Sequence, residues 1–367
     1  MSSVIRHPSS VNPTPRELGY SFPAEFAPQR SMWLSWPHKE ASWPGKIETI
    51  FPVYSQFIKL VAEGQRVCIN VADEKMKAFA VSHLQNAGAD LSKIDFFFHP
   101  TNDAWCRDHG PAFVINPHND NVAKSMLAVV DWNYNAWGDK YPPYDLDDVI
   151  PTLIADKLNV PVFYPGIIME GGSVEFNGKG TLLTTTACLL NKNRNPHLSQ
   201  KEIEKYLIEY YGADNVLWLG DGIVGDDTDG HIDDLTRFVN ADTVVTVVEE
   251  NKNDENYALL QENLKLLHTM RLENGKQMNI IELPMPHEII YEDQRLPGSY
   301  ANFYIANKYV VVPTFRDSKN DVRAIDILTK CFPERKVVGL DSTDLIWGLG
   351  SFHCLSQQEP SIEHLVK

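Results

Sequence analysis

From about residue 20 to its end, the chain alternates short apolar runs with single amphipathic stretches, with no long linker or low-complexity segment between them. The runs MWLSW (32–36), RVCINV (66–71), DFFFHP (95–100), PAFVIN (111–116), MLAVVDW (126–132), DTVVTVV (242–248), NFYIAN (302–307), YVVVPTF (309–315) and KVVGL (336–340) read as strands. Helical periodicity predicts helices over 46–63, 74–87, 199–211, 254–273 and 321–332. Ser199 with Glu202 fits a capping box at the third of these. NGKG (177–180), between SVEF and TLLTTT, signals a hairpin. Hairpins mixed with single helices depart from the strict βαβ rhythm of a doubly wound sheet, and predict an α/β fold of several small ββαβ modules. No sequence repeat marks the modules. With 367 residues, 43% of them hydrophobic, the chain can bury a large core. Residues 1–20, rich in Ser, Pro and Asn, are expected to form a flexible lead-in to a folded body over 21–367.

Charge narrows the partners. Forty-nine acidic residues against 33 basic ones leave a formal net charge of −16, and no basic patch is visible. That argues against nucleic acid or an anionic membrane, and is compatible with steering a small cation. The five cysteines, Cys68, Cys106, Cys188, Cys331 and Cys354, are widely spaced and form no CxxC, which argues against a disulfide framework or a zinc site. The N-terminal segment has no apolar signal-peptide core, and no run is long enough to span a bilayer. A reducing, cytoplasmic setting is expected, and a symmetric homodimer is the prior for a soluble enzyme.

Reactive residues gather in four islands. NDAWCRDHGPAFV (102–114) crowds Asp103, Arg107, Asp108 and His109 before a strand, while Trp105 by itself reads as core more than as site. MEGGSVEFNGKGT (169–181) puts Glu170 at the end of an apolar run and follows it with two glycines, which permit close backbone approach. GDDTDGHIDDLTRFV (225–239) holds Asp226, Asp227, Asp229, His231, Asp233 and Asp234. Its spacing fails as a calcium loop: Gly225 stands at the first ligand position and Thr236 at the twelfth. His231 and Asp233, two apart, would share a face if they enter a strand, and a carboxylate beside a histidine favours its protonated form. GSFHCLSQQEP (350–360) carries Cys354 in a glycine-flanked, polar setting. The adjacent His353 would point the other way on a strand and reads as structural.

One cysteine, one histidine and several carboxylates without metal spacing suit thiolate attack on a planar cation. Two carboxylates can hold a guanidinium by paired, charge-assisted hydrogen bonds and so orient its carbon. The sulfur adds, the histidine protonates departing ammonia, and water resolves the covalent intermediate. Two other readings stay open. In one, Asp226, Asp227, Asp229, His231 and Asp233 bind a hydrolytic metal. In the other, an acidic pocket only binds polyamines.

Taken together, NDAWCRDHGP, MEGGSVEFNGKGT with LLNKNRNPHLS, GDDTDGHIDDLTRF, SYANFYIAN and GSFHCLSQQEP closely resemble the agmatine deiminase family, related to bacterial peptidylarginine deiminases of the guanidine-modifying superfamily. PAEFAPQRSMWLSWP (23–37) is similar to that family's N-terminal signature, so the resemblance runs from about residue 20 to 360. It implies a single catalytic domain: a five-module ββαβ propeller of the pentein kind, with a central active-site channel. It also implies hydrolysis of agmatine to N-carbamoylputrescine and ammonia, with no cofactor and no metal. By motif, Cys354 matches the nucleophile and His231 the general acid/base. Asp108 and Asp233 match the guanidinium-binding carboxylates, and Glu170 and Asp227 further acidic pocket positions. Trp105 would line the channel, and Asn302 would make a polar contact near the reacting centre. The chain departs from the family pattern at His109, Asp229, Asp234 and Leu349, which bears on the substrate's distal contacts and leaves room for another guanidine. A peptidylarginine or free-arginine substrate is the alternative. Peptide-acting enzymes of this type carry arginines after a strand end that here reads DWNYNAWGDKY (131–141), yet no arginine occurs between Arg107 and Arg194. This favours an amine substrate.

Overall fold

The structure, a computed structural model, describes residues 13–118 and 126–363. It is built from one unit used five times: an antiparallel strand pair, then a helix that returns the chain to a third strand parallel to the second. In the first unit, Ala112–Ile115 pairs with Leu127–Val130, and helix Ile150–Leu158 leads to Val162–Phe163. In the second, Glu175–Phe176 and Thr181–Thr185 flank the NGKG turn, and helix Gln200–Tyr211 leads to Asn215–Leu219. The third runs Thr236–Asn240, Thr243–Val248, helix Glu255–Thr269 and Asn279–Pro284. The fourth runs Tyr304–Ile305, Tyr309–Thr314, helix Asn320–Cys331 and Lys336–Asp341. The fifth is assembled from both ends of the chain. Ser356–Pro360 pairs antiparallel with Gln29–Ser35, and helix Ile47–Ala62 leads to Arg66–Val71. Helix Glu74–Ala87 then adds a further parallel strand, Ile94–Phe98.

Neighbouring units touch in a closed ring. Ser356–Pro360 packs against Ala112–Ile115, and the turn Cys106–His109 against Gly171–Ser173. Glu175–Phe176 packs against Thr236–Asn240. Arg237 then donates to the carbonyls of Ala301 (3.0 Å) and Phe303 (2.8 Å), and Gln29 donates through Nε2 to the Ile305 carbonyl at 2.6 Å. The lead strand of each unit therefore faces the middle of the ring, where buried charge collects.

The helices expected from periodicity are present within a residue or two of their predicted starts, and the capping box of Ser199 and Glu202 is formed. The helix expected over 254–273 ends at Thr269. Strand Ser356–Pro360 escapes an apolar pattern because its polar side chains are buried and paired. Gln358 accepts from Arg107 at 2.7 Å, and Glu359 accepts from Trp33 Nε1 at 3.0 Å and from the Ser31 hydroxyl. Residues 13–20 pack beside helix Gln200–Tyr211, with Thr14 donating to Glu209 (2.7 Å), Arg16 paired with Asp214 (2.7 Å) and Tyr20 buried. The rest of the expected lead-in lies outside the described residues. Among the described residues, no helix is long and apolar enough to cross a membrane.

Candidate active site

Cys354 sits on the turn before strand Ser356–Pro360 and is 4% exposed. Asn302 holds this turn from the neighbouring unit. Its Oδ1 accepts from the backbone N–H of His353 (3.1 Å) and of Cys354 (3.3 Å). Its Nδ2 lies 2.9 Å from Cys354 Sγ and donates to Asp234 Oδ1 at 2.9 Å. The backbone N–H of Arg107 donates to the Cys354 carbonyl at 3.1 Å, which ties the NDAWCRDHGP turn to the nucleophile's turn.

That contact brings Asp108 to the site. Trp137 Nε1 donates to Asp108 Oδ2 (3.0 Å) and the Gly172 N–H to Oδ1 (2.9 Å). The two glycines after Glu170 are sterically required. A β-carbon on Gly171 would lie 2.1 Å from the Arg107 carbonyl oxygen. One on Gly172 would lie 2.5 Å from His231 Nδ1, 2.8 Å from Asp108 Oδ1 and 3.1 Å from Asp233 Oδ2. Three polar atoms from two further segments thus converge on one point, which only a glycine leaves free.

The shared face of His231 and Asp233 does not need a strand: His231 precedes a short 3-10 turn, Ile232–Asp234, and the strand begins at Thr236. The loop before it is wound on Asp226, whose carboxylate accepts from the N–H groups of Thr228 (2.8 Å), Gly230 (3.0 Å) and His231 (3.1 Å). Both residues still face the site. His231 Nδ1 lies 3.7 Å from Asp108 Oδ1 and 4.0 Å from Asp233 Oδ1, and Nε2 lies 4.0 Å from Glu170 Oε2. Among the described residues, Asp233 Oδ1 and both ring nitrogens of His231 are buried without a hydrogen-bond partner, the Cys188 thiol beside His231 apart.

Glu170 is fully buried and bound by Arg194 Nε at 2.5 Å, so the NKNRNP segment neutralises it from behind. Asp227 is placed differently: at the mouth, partly exposed, paired with Lys140 at 3.1 Å. Asp229 turns away to Arg194 (2.7 Å) and Lys140 (2.9 Å). The five-ligand metal set is thereby dispersed. Among the described residues, the donor groups that do converge are Glu170, Cys188 and His231, and Asp233, Asp234 and Cys354.

A cavity of about 210 Å³ leads to the nucleophile. Trp105, Trp137, Trp347 and Leu349 give it apolar walls, and Asp108 and Cys354 lie at its inner end. Trp105 thus lines the channel as well as packing on Trp43, ring centroids 5.1 Å apart. Glu170, His231, Asp233 and Asn302 stand behind the cavity wall. A second cavity, about 20 Å³, lies on the far side of Asp108 against Arg107, Glu25 and His353, and has room for about one water.

Burial sets the electrostatics. It pushes Asp108 up to about 6, helped by Asp233 and Glu170 and opposed by His231. It also lifts the Cys354 thiol well above its usual range, and the charges of Asp233, Asp234 and Asp108 lift it further. For His231 burial acts downward, but the charge of Asp108, with Cys188 and Asp233, carries the ring well above the usual histidine range. The departing residue His109 is buried, and burial holds it down to about 3 against the opposing pull of backbone contacts at His109 and Asp103.

Two contributors were not legible as site residues. Trp137 lies in a segment read only for its missing arginines. Glu25, in PAEFAPQR, is buried, and Arg237 Nη2 donates to its Oε2 at 2.8 Å and the Ile305 N–H to its Oε1 at 2.7 Å. A lone acid between prolines near the N-terminus was the only signal for Glu25. His353, read as structural, bridges Glu25 and Asp233.

The sequence profile of the Porphyromonas-type peptidyl-arginine deiminase family matches residues 21–360. The agmatine deiminase of Ectopseudomonas mendocina is 34% identical over 378 residues, covering 96% of this chain and 99% of its own. Among solved structures, agmatine deiminase of Enterococcus faecalis superposes with a TM-score of 0.87 at 31% identity, over 96% of this chain and 98% of that one. A cysteine-to-serine variant of C. jejuni agmatine deiminase with substrate bound superposes with a TM-score of 0.82 at 33% identity, over 93% and 96%. By profile, by identity along nearly its whole length and by fold, the chain belongs to the agmatine deiminase family, the group described as Porphyromonas-type peptidyl-arginine deiminases.

Proposed function

We propose that this protein hydrolyses agmatine to N-carbamoylputrescine and ammonia through a covalent intermediate on Cys354, without a metal or other cofactor. The observation that carries this reading is the convergence of Asp108, His231 and Asp233 on one point, with Cys354 beside Asp233 (Sγ to Oδ2, 3.6 Å). A planar cation fits carboxylates on two sides, and its two charge-assisted contacts fix the carbon against the sulfur. Trp105, Trp137, Trp347 and Leu349 suit a tetramethylene chain, and Asp103 and Asp227 toward the mouth suit its terminal amine. The relatives named as agmatine deiminases support the substrate. The substrate-bound cysteine-to-serine variant from C. jejuni supports a cysteine nucleophile.

The charge pattern gives substrate a part in its own activation. Without a cation among the carboxylates, Cys354 rests as a thiol. A guanidinium cancels the repulsion from Asp108, Asp233 and Asp234 that opposes the thiolate, so binding releases the thiol proton. Sulfur then bonds to the guanidine carbon as its C=N bond opens. The His231 imidazolium gives a proton to one nitrogen, the C–N bond breaks, and ammonia leaves. Neutral His231 takes a proton from water as the oxygen bonds to the same carbon. The C–S bond then breaks as the new hydroxyl gives its remaining proton to solvent, returning the thiolate, the imidazolium and the neutral ureido product.

Residues 21–367 are read as one catalytic domain. The cytoplasm is its proposed setting, since all five cysteines are free thiols. The test is ammonia release from agmatine, free arginine and a peptide ending in arginine, each with the Cys354→Ala control. The expected result is activity on agmatine above the other two and none in the variant. Full activity in Cys354→Ala, or loss of activity to a chelator, would sink the cysteine mechanism.

A further inference from the structure

Asp233 and Asp234 are neighbours in sequence and both buried, yet their surroundings shift the two carboxyls in opposite directions. Burial pushes both carboxyls up. Asp234, which accepts from Asn302 and stands beside Asp233 and Asp226, ends well above the usual carboxylate range. Asp233 ends below it, because the His353 hydrogen bond and charge, with His231 and Arg237, outweigh its burial.

The difference lies in His353, a ring 1% exposed. Its Nδ1 is 2.6 Å from Asp233 Oδ2, and its Nε2 is 2.7 Å from Glu25 Oε2. Two hydrogen bonds between one imidazole and two carboxylates require two protons among the three groups. Glu25 is poorly placed to carry either proton. Its Oε2 also accepts from Arg237 (2.8 Å), with Arg107 at 3.4 Å, and its Oε1 accepts from the Ile305 N–H (2.7 Å). Glu175, on the other side of Arg237 at 2.8 Å, adds charge that keeps Arg237 in place. On the substrate side, His231, Asp108, Asp234 and the Cys354 thiol face Asp233. Three acids crowded there would share protons unless one had a cation of its own.

Resting on the guanidine-hydrolase reading above, we propose that His353 is a positioning residue for this reaction: held by Glu25 and protonated on both nitrogens, it keeps Asp233 ionised and rotated so that Oδ1 is left free for the guanidinium. The chain Glu25–His353–Asp233 runs from the middle of the ring to the nucleophile, and the Cys354 turn supplies its central member. Asp233 thus grips the substrate as a full negative charge even though it shares its pocket with Asp108 and Asp234. Neutralising His353 would let Asp233 take up a proton at a higher pH and lose that grip.

Two measurements test this on the full-length protein. In His353→Gln, which retains a donor but not the charge, the acid limb of the kcat/KM–pH profile for agmatine should move up by about one pH unit or more. Purely structural damage would lower kcat/KM at every pH and leave the limb where it is, and that result overturns the proposal. The second uses 15N-histidine NMR of the unsubstituted protein, with His231→Asn to identify the other buried imidazolium. It should show a His353 ring protonated on both nitrogens at neutral pH, with a far-downfield N–H proton. A singly protonated ring overturns the proposal, and this arm decides even if His353→Gln fails to fold. If the unsubstituted protein releases no ammonia from any guanidine, the functional reading falls, while the NMR result still decides the state of His353.

Discussion

The mouth of the 210 Å³ cavity and its floor, meaning Asp108 at the inner end with His231 and Asp233 behind it, use the same residue types in opposite ways. At the floor, Asp108, His231 and Asp233 are buried, their spacings are 3.7–4.0 Å, and several polar atoms go unpaired. At the mouth, Asp103 is paired with Lys39 at 3.3 Å and Asp227 with Lys140 at 3.1 Å, in pairs that solvent reaches on at least one side. A desolvated, incompletely satisfied carboxylate costs stability and leaves that cost to be recovered by a cation. A solvated, satisfied one costs little and attracts weakly. The floor therefore governs the chemistry, and the mouth adjusts which cation arrives and how tightly its tail is held.

Breaking the floor should have the largest effect. Asp233→Asn or Asp108→Asn should lower kcat/KM for agmatine by about 10³-fold or more, since each removes a charge that orients and stabilises the reacting group. Steady-state ammonia release measures it, and a loss below tenfold in either would show that the floor is not the reacting centre. The next effect is on stability. Asp108, up to about 6, and Asp147, up to about 8, both hold their protons more tightly in the folded state than the unfolded one. Each therefore contributes stability that is lost as pH rises from about 4 through its folded value, against the opposite contribution of His99 and His109, which burial holds down to about 4 and about 3. The Asp108 share is about 3 kcal/mol. Melting temperature against pH, compared with that of Asp108→Asn, reads that share. Agmatine added to Cys354→Ala should raise it more at pH 8 than at pH 5, and an equal rise at both would contradict the assignment.

Gly172→Ala sharpens the comparison by disturbing the floor without removing charge. Its β-carbon would need the space 2.5 Å from His231, so it should cost about 1–3 kcal/mol of stability and lower kcat more than tenfold. Unaltered kinetics would mean that the three polar atoms need not converge. The smallest effect belongs to the mouth. Asp227→Asn should raise KM for agmatine severalfold with kcat nearly unchanged, an effect of under about 1 kcal/mol that fades as salt is added. A large kcat effect there would erase the distinction between the two regions.

Sequence reading recovered what depends on local pattern. The helices of the ring units and the NGKG hairpin follow from periodicity, capping and turn chemistry. Glu170, His231, Asp233 and Cys354 stood out because their residue types are rare in such company. It failed where polar groups are satisfied at long range. Strand Ser356–Pro360 has no apolar alternation because its glutamines and glutamate bond to Arg107, Trp33 and Ser31 across the fold. Glu25 and His353 are 328 positions apart, and no local pattern announces a pair of that separation. Whether His231 enters a strand or a turn was left open by periodicity; the turn forms where Asp226 caps the loop, a side-chain contact that periodicity does not register. The five-module arrangement came from the family resemblance and not from periodicity, because the units share one topology without a visible repeated sequence.

The pairing of Gln29–Ser35 with Ser356–Pro360 has a consequence during synthesis. The strands of four units are complete before the final strand is made, but the fifth unit waits for it, and the nucleophile's turn is part of it. Glu25, translated early, has no His353 to hold until more than three hundred residues later. A growing chain therefore carries every acidic group of the floor before it carries the sulfur, and the enzyme stays silent until translation has passed residue 360.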